Sequence, residues 1–232
     1  MKYPQLKFEN DRKFDAWKIK NYLHREKRGD NFKKRIYAMH PELKNTEDIG
    51  KYVNEVYKNN LNRFNKEQKK IYTEWKKVEK EFFSMNNKIY KGLAWPKGKY
   101  IGYLSISQPY PRFLDTTIFQ VDAFDSKNSV IITAHEMGHF IFFEYVRNRY
   151  APDLKKLDER KLNKIMYNKF KIPLWELSEV HVVILMRNKQ FMKLIPNQSI
   201  PYTSQEKFYK LCSKLWKDSV GNIDKFFDLV EK

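Results

Sequence analysis

The sequence predicts an α+β chain, mostly helical, with a small sheet of about three strands. Three observations predict it. Apolar residues recur every three or four positions from Thr46 to about Asn86. The stretches Lys88 to Trp95, Lys99 to Ser107 and Thr116 to Asp122 are β-branched and aromatic. Beyond Ser129, long apolar runs of helical period are punctuated by proline.

Each element has its own signal. Residues 1 to about 45 read as a basic helical segment. There Phe14, Trp17, Ile19, Tyr22 and Leu23 share one helix face, and Asp30 caps a second short helix that ends before Pro41. The nine basic residues from Lys18 to Arg35, counting His24, read as a solvated face rather than a phosphate-binding patch. The rest, residues 46–232, forms the main domain. Val53, Tyr57, Leu61, Phe64, Ile71, Trp75, Val78 and Phe82 make a long amphipathic backing helix over 46–86, or two helices in line. Pro96-Lys97-Gly98 separates the first two β-stretches (88–122 being the sheet region), which predicts a hairpin. A helix over 129–150 follows, with Asp125, Ser126, Asn128 and Ser129 as cap candidates and Ala151-Pro152 as its stop. Pro173 opens a helix over 173–192, and short helices close the chain over 203–231.

Composition narrows the class. The chain has 232 residues, enough for one good core. Its formal charge of +18 suggests acidic partners, nucleic acid or an anionic membrane. Lysine greatly outnumbers arginine and asparagine is abundant, however, a bias that AT-rich coding alone would produce. Cys212 is the single cysteine, so no internal disulfide forms. No apolar run approaches the ~20 residues of a membrane span, and no secretory leader is evident at the N-terminus. Residence in the cytoplasm is the expectation.

The chemistry is concentrated in His135-Glu136-Met137-Gly138-His139. Residues four apart stack on one helix face, so both imidazoles can point at one cation. Glu136 is turned about 100° from His135, beside that cation, where it can take a proton from a metal-bound water. This is the His-Glu-x-x-His pattern of zinc metallopeptidases. Apolar residues on both sides predict a buried helix, where imidazoles need a partner.

A zinc site needs a third protein ligand. A third histidine six residues beyond His139 would fall on Tyr145, and the glycine that accompanies it in one zincin subgroup would fall on Phe142. The upstream cysteine of peptide deformylases is also missing, since Cys212 lies downstream. A carboxylate from Trp175-Glu-Leu-Ser-Glu-Val-His-Val-Val-Ile-Leu-Met186 is the better source. Glu179 sits on a helix apolar nearly all round, where an unpaired charge is costly. Glu176 is the runner-up, Glu144 points away, and Glu159 lies in a charged segment. His181 is about 200° round the helix from Glu179 and reads as a core or supporting histidine.

The run Thr133-Ala-His-Glu-Met-Gly-His-Phe140, with Glu179-Val-His-Val182 after it, resembles the gluzincin metallopeptidases. The resemblance covers about residues 50 to 190 and implies a zincin-like fold: backing helix, sheet, metal-binding helix and glutamate helix. It implies one zinc ion on His135, His139 and Glu179, with Glu136 as general base and acid. Val182 departs from the family's alanine, and Val183 from the acidic residue that often braces a histidine. Asp122 or Asp125 would then have to brace it. Tyr167 and Tyr202 are candidates to stabilise the oxyanion. The expected activity is zinc-dependent peptide hydrolysis (a metalloprotease), on peptide or protein substrates. Alternatives are a regulatory peptidase cutting one partner protein, and a catalytically degenerate zincin serving as a nucleic-acid- or protein-binding scaffold.

Overall fold

The computed structural model describes residues 3–24, 32–196, 199 and 201–232; the expected Asp30 cap and part of the basic run lie outside them. A four-stranded sheet is packed into a mainly helical body, as the α+β class requires. The strands are β1 (Leu6–Asn10), β2 (Tyr100–Ser105), β3 (Arg112–Phe113) and β4 (Ile118–Asp122), in the order β1-β2-β4-β3. β1, β2 and β4 are parallel; β3 runs antiparallel to β4 at the edge. Phe8, Gly102 and Phe119 line up across the three parallel strands. A Cβ on Gly102 would lie 2.9 Å from the Phe8 ring and 3.2 Å from that of Phe119, so only glycine lets the two rings close over the strand.

The expected hairpin does not form. Lys88 to Trp95 is no strand: the backing helix continues to Ile89 and turns through Lys91 and Gly92, both at positive φ. The helical stripe Phe82, Phe83, Met85 and Asn86 is buried, so the helix gains by running on. The strand over 99–107 instead finds β1 and β4, at 6–10 and 118–122. No strand is expected within residues 1–45, yet β1 lies there. Its Leu6 and Phe8 are buried and its Lys7 exposed, the alternation of a half-covered strand.

The helices are α1 (Arg12–Leu23), α2 (Phe32–Met39), α3 (Ile49–Asn59), α4 (Leu61–Ile89), α5 (Ser126–Tyr150), α6 (Glu159–Phe170), α7 (Leu174–Met186), α8 (Lys189–Leu194), α9 (Glu206–Asp218) and α10 (Ile223–Val230). The backing element is thus two helices, broken at Asn60. The helix foreseen over 173–192 stops at Met186, because the Asn188 side chain accepts from the Gln190 amide and starts a new one.

On α1 the buried face is Asp15, Lys18, Ile19 and Leu23, while Trp17 is exposed. Lys18 is therefore no part of a solvated face. Its ammonium meets Asp15 at 3.1 Å and Ser105 Oγ at 2.6 Å, and it also bonds Ser107 and the Pro109 carbonyl. Asp15 accepts in turn from Ser105 Oγ, the Ile106 amide and the Tyr57 hydroxyl. Burial lowers the Lys18 pKa, against the pull of Asp15. No described helix is long and apolar enough to cross a membrane.

Candidate metal centre

Two helices carry the centre, and two neighbours set them. The Asp125 carboxylate accepts from the Lys127 and Asn128 amides, both at 3.0 Å, and so starts α5. The helix then runs buried through Phe140, Phe142 and Phe143. The start of α7 is held from α6: Asn163 Oδ1 accepts from the Leu174 amide at 2.8 Å. Between α5 and α7, Gly138 faces Val182. A Cβ on Gly138 would sit 3.3 Å from both Val182 methyl groups. The bulk at Val182, where the resembling family has alanine, is thus matched by a missing side chain on the opposite helix. This close approach brings Glu179 over the histidine pair.

The expected ligand set converges. His139 Nε2 lies 3.0 Å from His135 Nε2 and 3.4 Å from Glu179 Oε1, and His135 Nε2 lies 3.2 Å from Glu179 Oε2. One donor atom from each residue falls within 4.8 Å of the others. Metal–ligand bonds of about 2.0–2.1 Å in a tetrahedron put donor atoms roughly 3.3 Å apart, close to these separations. Two facing imidazole nitrogens and a carboxylate suit a borderline-soft divalent cation, and the residues fit one. The group can hold a metal ion. His139 is fully buried, Glu179 and Glu136 nearly so, and the His135 side chain is 21 % exposed. Access is therefore from the His135 side.

Electrostatics follow from that burial. Desolvation drives the His139 pKa down to about 3 and raises that of Glu136 to about 7, the latter opposed by His135 and Arg112. Burial alone would raise the Glu179 carboxyl, but the histidine pair and the Arg112 guanidinium hold it well below the usual carboxylate range. Burial also disfavours charge on His135, yet its bond to Glu179 raises its pKa.

Arg112, on the edge strand β3, is the residue the sequence pattern does not single out. Its Nη1 donates to Glu179 Oε1 at 3.0 Å and lies 3.6 Å from Glu136 Oε2. The guanidinium also sits over the Phe143 ring, 5.6 Å from its centroid. It follows a proline-rich loop, and its partner lies 67 positions later; no periodicity joins the two. The one legible hint is a lone arginine beside a predicted strand in a chain that otherwise favours lysine.

The remaining candidates separate cleanly. Glu176 is outside the ligand cluster. Glu144 pairs with Arg147, and Tyr145 donates to Asp224. Neither aspartate braces a histidine: Asp125 caps α5, while Asp122 accepts from the Phe124 amide and from Asn128. The buried Nδ1 of His139 has no hydrogen-bond partner among the described residues. His181 is core, ringed by Tyr90, Phe142, Trp216 and Phe226. Tyr202 lines a cavity of about 190 Å³ with His135 and Glu179. Tyr167 lines neither that cavity nor a larger one of about 700 Å³ that opens at Arg112. Trp175, on the wall of the larger cavity, stacks on Tyr202 at 6.1 Å between ring centroids. Comparison with known proteins finds no matching family model, curated protein or solved structure.

Proposed function

We propose that the protein is a zinc-dependent peptidase of gluzincin type. One observation carries the reading: two imidazoles one helical turn apart and a buried carboxylate from a second helix meet at the spacing of a tetrahedral site, with Glu136 next to them. His135, His139 and Glu179 would hold the ion. When bound, zinc supplies a Lewis acid and an acidified water. Glu136 then takes a proton from the attacking water as the C–O bond forms, and returns it to the leaving nitrogen as the C–N bond breaks. Its burial beside cationic groups suits a carboxylate that must both accept and release a proton. Tyr202, which lines the same cavity, would donate a hydrogen bond to the oxyanion. The substrate reaches the centre past the exposed edge of His135.

Elemental analysis of the purified chain, beside His139→Ala, tests this directly. One zinc per chain, lost in the variant, together with peptide cleavage that a chelator stops, is the expected result. A chain that takes up no divalent metal would end the proposal.

A further inference from the structure

The guanidinium of Arg112 carries more hydrogen-bonding capacity than the protein uses. Its side chain is 9 % exposed. Of its five N–H donors, one is matched to Glu179. The buried Nε has no partner, and no acceptor meets Nη2 among the described residues. A buried Nε without a partner is costly to keep, which favours a ligand that supplies an acceptor. The larger cavity of about 700 Å³ opens on this side chain, walled by Leu157 and Trp175 and by charged residues of both signs, Asp115, Asp158, Glu159 and Arg160 among them.

Charge points the same way. A divalent cation, the Glu179 and Glu136 carboxylates and Arg112 together sum to one positive charge in a largely buried place, with Glu159 on the cavity wall a weaker acidic neighbour of Arg112. An anionic group brought in by the substrate would balance it, and a planar guanidinium matches a carboxylate in two-point fashion. The reach also fits. A chain-end carboxylate one residue past the scissile bond lies roughly one backbone step, about 3.8 Å, from the reacting carbonyl, and an acidic side chain at that residue reaches further. Arg112 Nη1 stands 3.0 Å from a metal-ligand oxygen.

We infer that Arg112 anchors a carboxylate of the substrate, one residue on the leaving-group side of the cleaved bond, with the larger cavity holding that residue's side chain. This rests on the peptidase reading above and narrows its substrate class. The carboxylate has two sources: the free end of a chain, or an aspartate or glutamate side chain within one.

Calorimetric titration of zinc-loaded Glu136→Gln with three tripeptides separates the cases. One is Ala-Ala-Phe with a free C-terminus, the second its C-terminal amide, and the third Ala-Ala-Glu amide. The expected result is at least about tenfold tighter binding of a carboxylate-bearing peptide than of the Phe amide, from a charge-assisted bond pair. Preference for the first peptide identifies chain ends, and preference for the third identifies acidic side chains. Arg112→Gln, zinc-loaded, should erase the difference, and Arg112→Lys should keep part of it. Equal binding of all three peptides, or a preference that survives Arg112→Gln, would overturn the assignment while leaving the peptidase reading intact. Failure of the protein to take up zinc would overturn both. The peptide series on the unaltered Arg112 decides the matter even if its replacement misfolds.

Discussion

Two sets of buried charges in this molecule are finished in opposite ways. Asp15 and Lys18, both fully buried, are saturated. The ammonium meets four oxygen acceptors besides Asp15, and the carboxylate takes bonds from a hydroxyl, an amide and a phenol. Around Glu179 the network is open: Glu136 Oε2, His139 Nδ1 and Arg112 Nε are buried with no hydrogen-bond partner among the described residues, and Glu136 Oε2 has only the longer ion pair with Arg112. Burial of an ion is costly in both places. A network that satisfies itself holds a fold together, whereas one that leaves donors and acceptors free is kept for a ligand.

Breaking each set should therefore read out differently. The largest effect belongs to the open set. Glu136→Gln should keep zinc stoichiometry and lose peptide hydrolysis by about 10²–10⁴-fold, the usual worth of a general base; unchanged turnover would remove Glu136 from that role. In the saturated set, Asp15→Ala strands the Lys18 ammonium. Denaturant unfolding should show a loss of about 3–5 kcal/mol, with zinc uptake unaffected. Joint replacement by Asp15→Leu and Lys18→Met should recover most of it. The same pair gives a pH signature. Burial holds the folded Lys18 pKa below its unfolded value of about 10.5. The unfolded chain thus keeps its proton longer, and Lys18's contribution grows as pH rises toward that value. Wild type should gain stability relative to Lys18→Met over the alkaline range below about pH 10.5.

Smaller changes sharpen the contrast. Gly138→Val pushes α7 away from α5. Overpacking of this kind costs about 1–3 kcal/mol, and zinc affinity should fall with it because Glu179 moves. Val182→Ala in the same chain should restore both; no recovery would mean that the helix contact does not place the ligand. His181→Leu should be smallest, within about 1 kcal/mol and stabilising, since both buried ring nitrogens lack hydrogen-bond partners among the described residues and leucine removes the need for them. Zinc uptake should not change.

How much of this is written locally in the chain differs by region. The histidine pair is set by a four-residue spacing, and Glu179 stands out as the one carboxylate in the middle of an apolar helix. Both are legible because each signal lies within one helix. Asp15 and Lys18 look like an ordinary surface pair three residues apart, and only the arrival of Ser105 and Ser107 nearly ninety positions later makes them core. Arg112 is hidden for the same reason. The expected hairpin fails because its first arm is no strand: the buried stripe of α4 carries the helix on to Ile89 and overrides the local β-propensity. β1, by contrast, does show its alternation in Leu6-Lys-Phe-Glu-Asn10; five residues among many charges make the signal weak.

The position of β1 bears on how the molecule is made. Leu6 aligns with Tyr100 and Asn10 with Leu104, so β1 must wait for about ninety further residues of synthesis before it can dock. Contacts this distant in sequence slow folding. A chain shortened at its start would expose the flank of β2 as an unpaired edge, a template for aggregation. Yield of folded protein should therefore be most sensitive to removal of β1, far in sequence from the His135, His139 and Glu179 cluster.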